Sequence, residues 1–155
     1  METLSFFMGV NMIAYSDASF DDEKKVAGLG VVIDKGIKTS PVSNWIPCED
    51  VNYAELFAIY LAGIMMGGNG VVYTDSQCAI NYIEGKVRED KPRTHQQYIK
   101  HQQKKVLAYK INKLNLEVRK IKAHSKEIKE NELNNNDADI QAKKGLMKYY
   151  KYHCR

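Results

Sequence analysis

The 155-residue sequence has no hydrophobic run long enough to cross a membrane. Its longest apolar stretch, residues 56–66, falls well short of the roughly 20 residues that a transmembrane helix needs. Basic residues are also missing ahead of Phe6 and Phe7, so the pattern of a secretory signal peptide is absent. We therefore expect no membrane association and a cytoplasmic location.

Cysteine is scarce as well. Its three occurrences are odd in number and form no Cys-x-x-Cys pair, which argues against a disulfide framework: Cys48, Cys78 and Cys154. With 44% hydrophobic and 27% charged residues, the chain can build a core and is not expected to be disordered. We expect one domain over residues 1–155, with a core of about 10–148 and a basic tail of 149–155. No obligatory protein partner is expected, and the chain should be a monomer.

The net charge of +4 conceals a strong asymmetry along the chain. Residues 1–85 hold 4 basic and 11 acidic side chains, residues 86–130 hold 14 and 5, and residues 131–155 hold 5 and 3. A basic middle block of this kind favours a polyanionic partner. A solvated lysine-rich face is the alternative on this feature alone.

Hydrophobic periodicity and turn residues predict an α/β protein with a mixed sheet and helices on both faces. The predicted strands cover residues 11–16, 28–34, 37–45, 71–73 and 114–121, with an interruption near Pro41. The predicted helices cover residues 53–66, 76–84, a long segment opened by a capping box at Thr94, and 137–148. Residues 85–93 form a basic connector, and residues 123–136 are polar and predict a loop. The long third helix should expose Lys100, Lys104 and Lys105.

Four acidic residues stand at notable places in this order. Asp17 ends the first strand and Asp75 ends the short apolar strand, while Glu55 and Asp139 fall in the first turns of two predicted helices. If the two strands are neighbours, Asp17 and Asp75 emerge side by side at one edge of the sheet. Hard oxygen ligands of this kind select Mg²⁺ or Mn²⁺, and two such ions can drive phosphodiester cleavage.

Each acid also has a structural explanation when it is taken alone. Glu55 could close a capping box with Asn52, and Asp75 could cap a helix. Asp139 could interact with a helix dipole, and Asp17 could start a turn. All four explanations together would require four coincidences.

At these residues the sequence resembles the type 1 ribonuclease H family, from about residue 12 to residue 144. Five motifs carry the resemblance in the family's order: Asp17-Ala18-Ser19, Asn52-Tyr53-Ala54-Glu55-Leu56, Thr74-Asp75-Ser76-Gln77, Lys122-Ala123-His124-Ser125, and Asn135-Asn136-Asp137-Ala138-Asp139-Ile140-Gln141-Ala142. The resemblance implies a ribonuclease H-like five-stranded mixed sheet. It also implies an endonuclease that uses two Mg²⁺ ions, or Mn²⁺ as a substitute, to hydrolyse the RNA strand of RNA/DNA hybrids.

The resemblance assigns roles to particular residues. It implies that Asp17, Glu55, Asp75 and Asp139 bind the metals, and that His124 assists proton transfer or product release. It implies substrate contacts at Ser19, Asn52 and Gln77, because amide side chains can both donate to and accept from 2′-hydroxyls. We also expect a reduced basic handle that binds the DNA backbone through Lys86, Arg88, Lys91 and Arg93.

Several departures from the family pattern leave alternatives open. Ala18 replaces a usual glycine, Asp50 replaces a threonine that contacts a DNA phosphate, and Gln141 replaces a leucine, so the last acid could instead be Asp137. One alternative function is a hybrid-binding module with altered catalysis. A second is a different nuclease on the same fold, such as a junction resolvase or integrase core, and a third is a structural domain whose basic block binds a protein partner.

Overall fold

The computed structural model describes residues 12–36, 39–121 and 129–153. These residues form the strands β1 (Ile13–Asp21), β2 (Val26–Asp34), β3 (Thr39–Pro47), β4 (Asn69–Thr74) and β5 (Asn115–Lys120). They also form the helices α1 (Val51–Met65), α2 (Gln77–Ile83), α3 (His95–Asn112) and α4 (Lys129–His153). None of the helices within these ranges is both long and apolar enough to traverse a bilayer.

The five strands make one mixed sheet in the order β3-β2-β1-β4-β5. The first three strands pair antiparallel as consecutive hairpins, whereas β1 with β4 and β4 with β5 pair parallel. The parallel pairs require crossover connections, which α1 and the α2–α3 segment supply. The α/β class and the mixed sheet are thereby confirmed.

Helices cover both faces because the β1 and β2 side chains alternate between two apolar sets. Ala14 and Val31 belong to the large cluster that packs against α1 and α3. Tyr15 and Val32 face the other way and pack with Ala138 of α4. Side chains on both sides are excluded from water, as a sheet between two helical layers requires.

Two glycines let α4 lie directly on the sheet. A Cβ atom at Gly28 would stand 1.9 Å from the Ala142 carbonyl oxygen, and one at Gly30 would stand 2.0 Å from the Ala138 carbonyl oxygen. No side chain fits at such distances, so the glycines permit backbone contact between β2 and α4. This contact fixes the height of α4 above β1, which carries Asp17.

The last helix is longer than the sequence predicted. The expected loop of residues 123–136 is wrong for residues 129–136, because α4 begins at Lys129 and continues to His153. Asparagines in this segment have low helix propensity, but adding residues to an anchored helix costs little. The tail is likewise helical up to His153, and Trp45 of β3 lies edge-on to Tyr149 at 5.1 Å.

The predicted interruption at Pro41 is also wrong. β3 is continuous through Pro41, which pairs with Val32. Since β3 is an edge strand, the missing N–H of proline can face outward without breaking the ladder.

Candidate active site

Two neighbouring strands bring Asp17 and Asp75 to the same edge of the sheet. The parallel pairing of β1 and β4 ends with Tyr15 opposite Tyr73, and each aspartate lies two residues further along its strand direction. β1 continues to Asp21, so Asp17 lies within the strand rather than at its end and does not start a turn. Asp75 is not a helix cap either, because Ser76 caps α2 by accepting a hydrogen bond from Ala79 N.

Glu55 reaches the same place from α1. It is the fifth residue of that helix and therefore lies beyond the first turn in which it was expected. The helix is capped by Asp50, whose side chain accepts a hydrogen bond from Asn52 N at 2.8 Å. A capping box formed by Asn52 and Glu55 is thus excluded as the reason for this acid.

Asp17, Glu55 and Asp75, here called the acidic cluster, each offer a carboxylate oxygen within 4.8 Å of the other two. Asp17 is 6% exposed and Glu55 8%, while Asp75 is open to solvent. Glu55 Oε2 is buried without a hydrogen-bond partner. Three acids at this spacing, two of them buried, repel one another unless protons or cations neutralise them.

The pKa values record this repulsion. Burial, followed by the charge of Asp75, raises the pKa of Asp17 to about 7. Burial, followed by the charge of Asp17, raises the pKa of Glu55 to about 9. Asp75 is exposed as a residue, but partial desolvation of its carboxylate raises its pKa, and the charge of Asp139 adds to that rise. The cluster therefore holds protons in the neutral range that an ordinary carboxylate would have lost.

Asp139 approaches the cluster from α4. It interacts with Asp17 through both its side chain and its charge, and it makes an ion pair with Lys143 at 3.0 Å. Its predicted place in the first turn of the helix is wrong, since α4 begins ten residues earlier. Asp137, the alternative fourth acid, instead accepts a hydrogen bond from Gln141 at 3.2 Å.

The site fits hard divalent cations. The acidic cluster supplies only oxygen ligands, which Mg²⁺ and Mn²⁺ prefer. The unpartnered Glu55 oxygen and the raised pKa values of Asp17 and Glu55 are the features that a positive charge would relieve. These acids can therefore hold cations at the sheet edge.

A depression of about 670 Å³ lies between the start of α1, α2, the connector and α3, and the residues of the acidic cluster are not part of its lining. Five of the seven predicted substrate residues line it: Asn52, Gln77, Arg88, Lys91 and Arg93. Lys86 belongs to the connector but not to this lining, and it pairs with Glu84 at 2.6 Å. Ser19 lies on β1 two residues after Asp17, on the same side of the strand.

Ala18, where the family has glycine, needs no special backbone conformation. It pairs with Leu29 in regular antiparallel register, and its methyl group packs against the buried cluster of Ala27 and Leu29. Its N–H donates to Asp17 Oδ1 at 2.9 Å, which helps to hold that carboxylate in place.

Asp50 and Lys104 form a contact that the sequence did not reveal. Lys104 was expected on the exposed face of α3, and this prediction is wrong: it is 9% exposed and its ammonium lies 2.6 Å from Asp50 Oδ2. The buried face of α3 contains His101, Lys104, Leu107, Ala108 and Ile111. Their spacing of three and four residues was the available signal, but its first two members are polar and were not recognised as buried.

His124, the fifth predicted catalytic residue, lies outside the described residues, as does the rest of its motif.

The model of the family described as RNase H matches residues 10–147. The chain therefore belongs to the RNase H family, whose members are nucleases that act on RNA/DNA hybrids. A comparison with curated proteins gave no match.

The solved structures that are similar to this chain include the following three. RNase H1 from the halophilic archaeon Halobacterium salinarum has 19% identity and a TM-score of 0.64, covering 88% of this chain and 98% of its own. The N-terminal RNase H domain of Rv2228c from Mycobacterium tuberculosis has 16% identity and a TM-score of 0.60, with coverages of 92% and 98%. LC11-RNase H1, isolated from compost, has 23% identity and a TM-score of 0.56, with coverages of 88% and 98%. At these identities the likeness establishes the ribonuclease H-like fold.

Proposed function

We propose that this chain is a metal-dependent endonuclease that hydrolyses the RNA strand of RNA/DNA hybrids and leaves 5′-phosphate and 3′-hydroxyl ends. The observation that carries the proposal is the acidic cluster, whose carboxylate oxygens lie within 4.8 Å of one another with two of the acids buried. The cluster, together with Asp139, would hold two Mg²⁺ ions, for which Mn²⁺ could substitute. When bound, such ions supply charge neutralisation and Lewis-acid activation for in-line phosphodiester cleavage.

The protein's own residues set the position of the substrate. Asn52 and Gln77 present amide groups that can bond the 2′-hydroxyls and base edges of the RNA strand. Gln77 is exposed and lines the depression, and its Nε2 donates to Asn81 Oδ1 at 2.9 Å. Arg88, Lys91 and Arg93 on the connector would bind backbone phosphates without regard to sequence. Cleavage would then be selective for a duplex with one ribose strand.

We also propose that the whole chain acts as a single, monomeric ribonuclease H domain in the cytoplasm. His124 belongs to this proposal as a residue that moves protons near the scissile phosphate, and Ser19 as a further substrate contact.

The proposal is tested by incubating the protein with labelled RNA/DNA hybrid, duplex DNA or duplex RNA of one sequence, in the presence of magnesium or of EDTA. We expect cleavage of the hybrid with magnesium, no cleavage with EDTA, and little cleavage of either other duplex. Binding of the hybrid without cleavage would indicate a binding module with altered catalysis. Equal cleavage of duplex or branched DNA would indicate a different nuclease on this fold.

A further inference from the structure

A polar network at the back of the depression involves a buried histidine. His101 of α3 is 2% exposed, and both of its ring nitrogens have partners. Nδ1 lies 2.8 Å from the hydroxyl of Tyr82 on α2, and Nε2 lies 3.1 Å from Glu89 Oε2 on the connector. Lys105 of α3 also reaches Glu89, with its ammonium 2.9 Å from Oε1. Both carboxylate oxygens of Glu89 are therefore held by α3.

The chemistry of the partners determines which atom donates and which accepts in each hydrogen bond of the network. An ionised Glu89 can only accept, so Nε2 of His101 carries the hydrogen and donates to it. In the neutral ring Nδ1 then accepts from the Tyr82 hydroxyl. The pKa of Glu89 is lowered, first by the bond from Lys105 and then by the bond from His101. Glu89 is thus ionised at neutral pH and ties the connector to α3.

The connector lacks helix or strand between α2 and α3, and it is braced internally. Arg93 donates to the carbonyl oxygen of Arg88 at 2.7 Å, and Arg88 makes a two-bonded contact with Asp90 at 3.1 and 3.2 Å. Among the described residues, the two side-chain contacts that join this segment to α3 both end at Glu89, one from His101 and one from Lys105. Glu89 therefore links the segment that carries the two arginines to the side of α3.

The same network continues to the start of α1. The Lys104 ammonium lies 5.1 Å from the centre of the Tyr82 ring and binds Asp50, the cap of α1. Asp50 in turn accepts from the backbone of Asn52. Asn52 belongs to one wall of the depression and the basic connector to the other. Contacts through His101, Tyr82 and Lys104 thus join these two walls.

We propose that Glu89, held by His101 and Lys105, is a positioning residue that sets the basic connector at the distance from Asn52 that an RNA/DNA hybrid requires. This inference rests on the proposed function, because it assigns that depression to the hybrid. Glu89 touches no phosphate in this account and acts through Arg88 and Arg93.

If Glu89 affected the hybrid through its charge alone, its removal would strengthen binding rather than weaken it. A carboxylate on a nucleic-acid-binding surface repels phosphates, so its removal should strengthen binding. If Glu89 positions the connector, its removal should weaken binding even though the surface becomes more basic. The two explanations therefore differ in the sign of one measurement.

The matched variants Glu89→Ala and Glu89→Gln distinguish the positioning role of Glu89 from an effect of its charge alone. Both remove one negative charge, but the glutamine keeps one acceptor oxygen, which can take the hydrogen bond from His101 or from Lys105, whereas alanine keeps none. Glu89→Ala should raise the KM for hybrid about three- to tenfold and leave kcat within about twofold, as expected for loss of one ordering contact remote from the chemistry. Glu89→Gln should stay within about twofold of the parent in both constants.

Hybrid binding by fluorescence anisotropy in EDTA provides a readout that does not depend on cleavage. We expect Kd to follow the same order, with Glu89→Ala weakest. Glu117→Gln on β5 is the control, because it removes an equal charge from an exposed ion pair with Arg119. It should bind the hybrid as the parent does.

Trypsin cleavage of the folded variants gives a structural readout at Arg88 and Arg93. The connector of Glu89→Ala should be cut several times faster than that of the parent or of Glu89→Gln. Equal KM and Kd values for the alanine and glutamine variants, whether raised, lowered or unchanged, would overturn the positioning role. A parent protein that neither binds nor cleaves the hybrid would instead overturn the proposed function.

Discussion

Replacing Asp75 with asparagine should abolish cleavage of RNA/DNA hybrids at saturating magnesium while the fold remains intact. The change keeps the size of the side chain but removes one charged oxygen donor from the acidic cluster. Metal-ion stabilisation of transition-state charge is worth several kcal/mol, and each 1.36 kcal/mol is tenfold in rate. The expected loss in kcat is therefore at least about a thousandfold, measured in single-turnover assays across a magnesium titration. Turnover near that of the parent would refute the assignment of Asp75.

Asp137→Asn is the matched control for this experiment. It removes the same charge two residues from Asp139, but its carboxylate is bonded to Gln141 rather than to the acidic cluster. It should retain the activity of the parent, whereas Asp139→Asn should not. If Asp137→Asn alone were inactive, the fourth acid would be Asp137.

The same Asp75→Asn variant should be slightly more stable than the parent in EDTA. Asp17 and Glu55 have raised pKa values in the folded state, so the folded chain binds more protons than the unfolded one. The stability that these two groups contribute must then fall as the pH rises from about 4 into the neutral range and beyond. Asp75 is the largest charge contribution to the raised pKa of Asp17, so its removal should make this fall less steep. Thermal unfolding in EDTA at a series of pH values measures the difference.

His124→Ala should lower kcat by roughly ten- to ten-thousand-fold, the range of general acid–base assistance and its partial loss. A histidine with a pKa near neutrality can accept and donate protons at physiological pH. Hard Mg²⁺ prefers oxygen ligands, so magnesium affinity and the KM for hybrid should change little. Parallel measurement of kcat, KM and magnesium affinity on one preparation tests this role.

His153→Ala, at the far end of α4, provides the comparison for His124→Ala. Its ring stacks on Tyr149 at 4.6 Å, so the replacement should affect stability more than catalysis. A collapse of magnesium affinity together with kcat in His124→Ala would make His124 part of the metal site. No change in any constant would make it an ordinary surface histidine.

The sequence placed Asp17 and Asp75 together on the condition that their strands are neighbours, and β1 and β4 do pair. Asp17 and Asp75 each follow an apolar stretch, and parallel pairing of those stretches places their ends together. Element boundaries were less accurate. The polar residues 129–136 look like a loop, since nothing local shows that Ala138 and Ala142 anchor the helix against Gly30 and Gly28. That contact joins segments more than a hundred residues apart.

The polar network around His101 could not be predicted for a different reason. A run of glutamine, lysine and histidine has the composition of a solvated helix face. Only the folded chain shows that Asp50 lies within 2.6 Å of Lys104, and that Tyr82 and Glu89 meet His101. Burial of charged groups requires partners, and such partners come from distant segments of the chain.

The measurement that tests the central claim most directly is a cleavage assay on a hybrid whose RNA and DNA strands carry different end labels. With magnesium, we predict that only the RNA strand is cut at internal positions and that every new end is a 5′-phosphate or a 3′-hydroxyl. With EDTA, both strands should remain whole. Cleavage of the DNA strand at a similar rate, products with 3′-phosphate ends, or activity that survives EDTA would contradict the account.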